Sequence, residues 1–428
     1  MARTEHLSGN LSTPPRRRIC ILGGGFGGLY TALYLQKYRG FERKNCEIIL
    51  IDRNHRLSFT PLLYERVTDE LQAWEIAPPY AKLLVGTPIE FYQDCVQNVD
   101  LRSRRVLLAQ RGELAYDYLV LAVGAQNRRS GIPGLSDYAL TFRNFTDSQQ
   151  LNRALEELEQ SDRAPLRVAL IGGGPSGVEL AGKIADRLGS RGELYLLDSG
   201  KQLLPTFTRA TRKTAHKALE KRRVRISLNT RVTTIARDTL TLEQNSQAAT
   251  LPVDLTIWVA GTQMHDWVKN LPCTHNERGQ ILTEKTLQSV DYPEVFVLGD
   301  LAETIDAAGQ RVPATAQAAY QQASCAAKNL WATLNRKSLK PFRYLHLGEM
   351  ISLGENDAAI SSFGLHLNGA IAAPIRSLVY LQRLPTLSHR LQVLWHWLKK
   401  SWGWLRRLGK KELVHRPKRR RDTSTKEI

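Results

Sequence analysis

The first fifteen residues are polar and carry Pro14-Pro15, and the chain then turns apolar over Ile19–Leu22, entered directly from three arginines. A continuous apolar run of that length predicts a buried strand. Glycines at 23, 25 and 28 follow, and Leu29, Ala32 and Leu33 then recur at helical spacing. Residues 46–51 form a second strand-like run closing on Asp52, and residues 119–123 a third, closing on Gly124. A polar helix is predicted over 143–163. The opening pattern then repeats: residues 167–171 as a strand, glycines at 172, 174 and 177, a helical stripe of Leu180, Ala181, Ile184 and Leu188, and a strand over 193–197 ending on Asp198. Residues 256–260 lead to Gly261, and residues 295–298 to Gly299-Asp300. Thr315 is a suitable N-cap for a helix running to about Leu334, with Gln317 and Gln321 four apart and hence on one face. The last pattern differs. Leu387, Leu391, Leu394, Trp395, Leu398, Trp402 and Leu405 step by three and four, with Lys and Arg around them.

Each part of the opening pattern has a job in a dinucleotide site. Gly23 permits the tight turn, Gly25 lets the backbone approach a pyrophosphate, and Gly28 lets the helix pack closely on the strand. Phe26 lies inside this turn, and the free N–H groups of the helix start hold the phosphate charge. Asp52 stands where a carboxylate accepts bonds from ribose hydroxyls. Gly172, Gly174, Gly177 and Asp198 repeat the set, so the chain is expected to hold two dinucleotides.

Composition adds less than charge does. At 428 residues the chain is long enough for two or three domains, and 42% apolar with 24% charged residues is ordinary for a folded protein. A net charge of +19 is not ordinary and points to an anionic partner. From Leu391 onward twelve Lys and Arg stand against three acids, and four of the eight tryptophans fall between 395 and 404. An amphipathic helix over 387–408 with Trp and Leu on one side and cations around it is built for a membrane surface. No window of 18 apolar residues predicts a spanning helix, and no secretory signal is found. The five cysteines, 20, 46, 95, 273 and 325, form no C-x-x-C pair, which excludes a local redox dithiol and fits a reducing compartment. The ten histidines show no ligand spacing, and no metal is assigned.

Two fingerprints, the second inserted into the first unit, resemble the flavoproteins with two dinucleotide-binding domains, where the first site holds FAD and the second NAD(P)H. The stretches ending at Gly124, Gly261 and Gly299-Asp300 look like further motifs of that superfamily. More narrowly, Gly23–Leu29, Phe59-Thr60-Pro61-Leu62-Leu63-Tyr64-Glu65, Gly172–Ala181 and Ala316-Gln317-Ala318-Ala319-Tyr320-Gln321 resemble the type II NADH dehydrogenases, single-subunit, non-pumping NAD(P)H:quinone oxidoreductases. Residues 341–361 resemble the branch found in cyanobacteria and plastids, associated with reduction of demethylphylloquinone and related prenylquinones such as plastoquinone.

The resemblance implies an α/β fold with two Rossmann-like domains, 16–142 with 277–340 for FAD and 143–276 for NAD(P)H. A quinone and membrane region then follows over 341–408, between a disordered head (1–15) and a basic tail (409–428). It implies that Gly23, Gly25, Phe26, Gly28, Asp52 and Gly124 hold FAD, with Asp300 on the ribityl chain and Thr315 and Ala316 at the flavin's pyrimidine edge. Gly172, Gly174, Gly177, Asp198 and Gly261 are implied for NAD(P)H, Glu179 near the nicotinamide, and Gln317 and Gln321 at the quinone mouth. Pro61, Leu62 and Leu63 are expected to shape the walls. The family usually has an acid where Lys183 stands. Asp198 favours NADH by repelling a 2′-phosphate, while Lys201 nearby softens that preference. The expected setting is a peripheral protein on the cytoplasmic face of a bacterial membrane, cyanobacterial by the branch that residues 341–361 resemble, since the head supplies no transit peptide. Pairing of two copies is left open. Two rivals are a sulfide:quinone oxidoreductase, which needs two cysteines meeting near the flavin (only Cys273 and Cys325 are candidates), and a nucleic-acid binder acting through the tail. The second finds no recognised motif, and the Trp–Leu face would be wasted on DNA.

Overall fold

The computed structural model describes residues 16–128 and 131–414, with side chains described as far as residue 400. The head expected over 1–15, the tail from 415, and the side chains of Trp402 and Leu405 lie outside the described residues.

The apolar runs become parallel strands joined by helices. β1 (Arg17–Leu22) feeds the first glycine motif and α1 (Gly28–Leu35), and β2 (Cys46–Asp52) follows. Next come β3 (Ile89–Gln93), β4 (Tyr118–Leu121) and the short β5 (Ala139–Thr141). α2 (Phe145–Glu159) is capped by Asn144, whose side chain accepts from Asp147 N. β6 (Leu166–Ile171), α3 (Pro175–Leu188), β7 (Gly192–Leu197), α4 (Arg209–Lys221), β8 (Arg225–Ser227) and β9 (Leu255–Trp258) repeat the alternation. β10 (Val295–Val297) and α5 (Ala316–Leu334) complete it.

Two five-stranded parallel sheets result, in the orders β10-β4-β1-β2-β3 and β8-β7-β6-β9-β5. Both place the glycine-motif strand at the centre, with Leu22 opposite Ile51 in one and Ile171 opposite Leu197 in the other. Ile19, Ile21, Leu22, Val168 and Leu170 are fully buried, as strands covered on both faces must be. One strand departs from the expected layout: β5, in the stretch assigned to the first unit, pairs with β9 of the second sheet. Gln126–Asn127 and Thr262–Gln263 pair antiparallel where the chain crosses between the units.

After α5 comes an antiparallel sheet, β11 (Glu349–Gly354), β12 (Asp357–Ser362) and β13 (Leu365–Gly369), that no periodicity announced. It lies against α3, and Gly182 marks the approach: a Cβ there would strike the carbonyl oxygen of Leu353. α6 (Ala372–Gln382) and the long α7 (Leu387–Val414) follow, the second running beyond the expected 408. Among the described residues no helix is long and apolar enough to cross a membrane.

Candidate active site

Both glycine motifs are built on one steric plan. A Cβ on Gly28 would collide with the carbonyl oxygen of Gly23, and one on Gly177 with that of Gly172, so only glycine closes each turn onto its helix. The middle glycines, Gly25 and Gly174, face open space, which leaves room for a phosphate against the backbone. The acids repeat too. Asp52 accepts from Gly24 N and from Asn54 N, each at 2.7 Å. Asp198 accepts from Gly173 N and, at 2.6 Å, from Gly200 N. Burial pushes the Asp52 carboxyl above its ordinary range, and the Asn54 and Gly24 N–H groups oppose that shift.

A cavity of about 460 Å³ opens at the carboxyl ends of β1, β2, β4 and β10, where open α/β sheets bind their ligands. Gly23, Gly25, Phe26, Asp52, Gly124, Asp300, Thr315 and Ala316 all line it. Phe26 is held from behind, stacked on Tyr30 at 5.7 Å and tilted against Phe59 at 5.1 Å. Thr315 caps α5 by accepting from Ala318 N at 3.2 Å, so the positive end of that helix faces the cavity. Gly124 and Gly261 stand at the two crossings between the units with φ of 68° and 72°. This cavity fits FAD: an open glycine turn for the pyrophosphate, a buried acid for the ribose, and a helix start for a ring edge that gains negative charge.

Inspection of the sequence missed one cation here. Arg143 Nη2 reaches Asp300 Oδ2 at 2.6 Å, and both side chains line the cavity. Asp300 therefore faces the cavity already paired. Gln322 was missed as well: it is buried and accepts from Gly299 N at 2.8 Å, anchoring the turn that carries Asp300.

The residues chosen for chemistry are placed less simply. Glu179 does not line this cavity. It is buried, accepting from Ser352 N at 2.9 Å and from Arg376 Nη2 at 2.9 Å. Arg376, on α6, also pairs with buried Glu65 and donates to Pro61 O at 2.7 Å. Burial pushes Glu179 up to about 7, with Arg376 pulling the other way. Burial works against the Arg376 cation, yet Glu65 and then Glu179 outweigh it and hold its pKa above the usual range. Glu65 Oε2 and Arg376 Nε keep no partner among the described residues. The stretch from Phe59 to Glu65 thus joins all three parts of the fold, since Tyr64 also bonds Ser176 of the second glycine motif at 2.9 Å. Leu62 and Leu63 are buried in the main core.

Gln317 and Gln321 clamp the irregular segment 344–348 beside α5. Gln317 Oε1 accepts from Tyr344 Oη at 2.8 Å and from Leu347 N at 3.0 Å. Gln321 exchanges two bonds with Leu345, at 2.8 and 3.0 Å. Neither lines the cavity. Each amide nitrogen carries a second hydrogen, so donation outward stays open to both.

Lys183 has an occupation the family's acid could not share. It is buried and pairs with Glu70 of the first unit. The two cysteines a sulfide chemistry would need lie apart: Cys273 packs against one core and Cys325 against another. Burial pushes both thiols up to about 11, away from the thiolate form.

Residues 17–323 match the pyridine nucleotide-disulphide oxidoreductase family. The chain is 43% identical to the demethylphylloquinone reductase NdbB of Synechocystis over 88% of its own length and 95% of that protein. It is 28% identical to the type II NADH:quinone oxidoreductase of Staphylococcus aureus, over 85% of this chain and 94% of that one. Among solved structures, NDH2 from Plasmodium falciparum in complex with NADH superposes with a TM-score of 0.79 at 18% identity, over 90% of this chain and 98% of that one. Together with the paired glycine sites, these matches make the chain a member of the pyridine nucleotide-disulphide oxidoreductase family, in its type II NADH:quinone oxidoreductase group.

Proposed function

We propose that this chain is an FAD-dependent NAD(P)H:quinone oxidoreductase working at a membrane surface, with a prenylquinone of the demethylphylloquinone type as acceptor. The observation that carries this reading is the duplicated acid-on-glycine-loop construction, one copy of which opens into a cavity that fits FAD. Bound FAD would supply two-electron acceptance from NAD(P)H and two-electron donation to a quinone. The chain's own share is placement. Gly25 and Gly174 admit phosphates, Asp52 and Asp198 accept ribose hydroxyls, and the start of α5 favours negative charge at the ring edge it faces.

Glu179, which follows the second glycine motif, is assigned to the nicotinamide side of the site, and Arg376, itself paired with Glu65, holds it in place. Gln317 and Gln321 keep residues 345–348 beside α5, which shapes the quinone approach. α7 has two distinct sides. One is fastened to the first unit: His389 Nε2 bonds Glu75 O at 2.8 Å, Trp397 Nε1 bonds Glu75 Oε1 at 2.7 Å, and Lys400 reaches Glu70 O at 3.0 Å. The other exposes Leu387, Leu391, Trp395 and Leu398, each more than half accessible. This second side, with its lysines and arginines, is the surface for an anionic leaflet, facing a cytoplasmic compartment in a bacterial host.

The test is anaerobic stopped flow. The purified yellow protein is mixed with NADH or NADPH, and the reduced form then with short-chain and prenylated quinones. Bleaching by the nucleotide and recovery with quinone are expected. A colourless protein that cannot be reconstituted with FAD refutes the reading.

A further inference from the structure

Reduction of a quinone to the quinol consumes two electrons and two protons. A hydride taken from NAD(P)H carries both electrons and one of the protons, so one more proton must enter from solvent. The cavity offers few ways in. Where α5 begins, its wall is made by Gly299, Asp300, Thr315, Ala316 and Ala319. Asp300 is the ionisable residue among these, and it is committed to Arg143. Thr315 has a second neighbour behind the wall. Its hydroxyl accepts from Ala318 N at 3.2 Å and also hydrogen-bonds the Tyr344 side chain. Tyr344, half-buried, donates to Gln317 Oε1 at 2.8 Å, and the same phenol oxygen lies 3.4 Å from His346 Nδ1. His346 is exposed. The backbone carrying these two residues is fastened at three points: Tyr344 N to Asp306 Oδ2, Leu345 N to Gln321 and Leu347 N to Gln317, each at 3.0 Å. A line of exchangeable protons therefore runs from solvent at His346, through Tyr344, to Thr315 on the cavity wall.

We propose that His346, Tyr344 and Thr315 form the relay that delivers this solvent proton to the quinone. The inference rests on the quinone-reductase reading above and names the proton source for the same site. In each delivery protonated His346 gives its Nδ1 proton to Tyr344 Oη, Tyr344 gives its own to Thr315 Oγ1, and Thr315 gives its own to the quinone oxygen. His346 ends neutral and both hydroxyls end as they began, so atoms and charge balance once solvent recharges the histidine. Between deliveries the Tyr344 hydrogen points at Gln317, and a turn about the C–O bond is all that re-aims it. Histidine suits the outer position, being the side chain that changes charge between about pH 5 and 8. Burial pushes the Tyr344 hydroxyl above the ordinary phenol range, with the Thr315 bond and then Arg383 pulling the other way, so it carries protons without resting as an anion. The other charged groups here are Asp306 and Arg343. Burial opposes the charge on Asp306, but the N–H groups of Gln310, Tyr344 and Ala308 hold its carboxyl below its ordinary range. Arginine keeps its proton. Neither group trades protons near neutral pH.

The experiment uses the full FAD-loaded chain, reduced anaerobically with NADH. Reoxidation is followed by stopped flow with a short-chain quinone, and with ferricyanide, which takes electrons and no proton. The parent is compared with His346→Gln, His346→Ala and Tyr344→Phe across the histidine range of pH. The parent's quinone rate should fall as pH rises through that range. In the variants the ratio of quinone rate to ferricyanide rate should drop roughly tenfold or more at about pH 6, and the pH dependence should flatten; water partly substitutes, so the loss stays below the full effect of a positioned general acid. Because the position is exposed, imidazole in solution should restore part of the His346→Ala rate and none of the Tyr344→Phe rate. His366→Ala, exposed on β13, should behave as the parent. Hydrogen exchange of the 344–348 segment, whose Leu345 and Leu347 amides are bonded to Gln321 and Gln317, should be unchanged in His346→Gln. A parent-like ratio and pH profile in Tyr344→Phe and His346→Gln overturn the proposal. So does slowing that imidazole cannot rescue and that comes with faster exchange, which would make His346 a structural support. A parent that reduces ferricyanide and no quinone refutes the acceptor reading itself, and the relay with it.

Discussion

Replacing Arg376 with methionine is the most informative single change this structure offers. The guanidinium joins two buried carboxylates, Glu65 and Glu179, and donates to the Pro61 carbonyl. Methionine is similar in length and fills the space, so the change removes charge more than volume. Removing one partner from a buried ion cluster leaves charge without compensation and costs about 3–5 kcal/mol. At about 2–4 °C per kcal/mol for a domain of this size, the apparent melting temperature should fall by on the order of 10 °C. The pH dependence is specific. The Glu179 carboxyl titrates near 7 in the folded protein, above its ordinary 4.5, so the folded state binds more protons there. Its contribution to stability is therefore present at acid pH and is lost as pH rises through about 7. Without Arg376 to favour the charged form, the pKa moves further up, and the variant should be penalised more at about pH 8.5 than at about pH 6. Thermal unfolding followed by flavin fluorescence at both pH values reads this directly. Replacing all three residues with leucine or methionine should recover much of the loss, since buried ion clusters are often matched by well-packed apolar groups. If Arg376→Met melts within a degree or two of the parent at both pH values, the cluster is not an interdependent ion network and the argument is wrong.

Other consequences can be measured in the same preparations. Asp198→Ser removes the carboxylate beside the ribose and should raise the NADPH-to-NADH ratio of specificity constants; a constant ratio would show that this acid does not influence cofactor choice. Gln321→Ala frees Leu345 from its paired bonds and should slow flavin reoxidation by quinone about tenfold while sparing reduction by NAD(P)H; equal losses in both half-reactions would mean the packing of α5 is damaged. Truncation after Leu384 removes α7 and should abolish flotation with anionic liposomes and turnover of a long-chain quinone within them, while flavin reduction persists. Partial burial of Leu387, Leu391, Trp395 and Leu398 is worth roughly 1 kcal/mol or more per residue, so high salt should weaken the full-length protein's attachment without eliminating it. Flotation of the truncated protein would place the anchor elsewhere, with the exposed Phe363 and Ile371 the next candidates.

What the sequence determined by itself is local. Strand, glycine turn, helix and terminal acid fall within about 35 residues twice over, and their spacing follows from steric rules and strand period that need no distant partner. The N-cap at Thr315, the start of α5 and the exposure of Leu387, Leu391, Trp395 and Leu398 on α7 were legible for the same reason, each depending on residues three or four apart, whereas Leu394 of the same stripe packs against the core instead. Tertiary structure alone decided the rest. Arg376 lies 311 positions from Glu65 and 197 from Glu179, and α6 gives no sign that its arginine turns inward. Gln317 and Gln321 matched a known motif, yet only the folded chain showed their amides occupied by the 344–348 segment. Lys183 could be read as a departure from the family, but its pairing with Glu70 required helix α3 to meet the loop after β2. Long-range pairs of this kind carry no period, because a charge finds its partner through the path of the backbone and the dielectric of the packed interior.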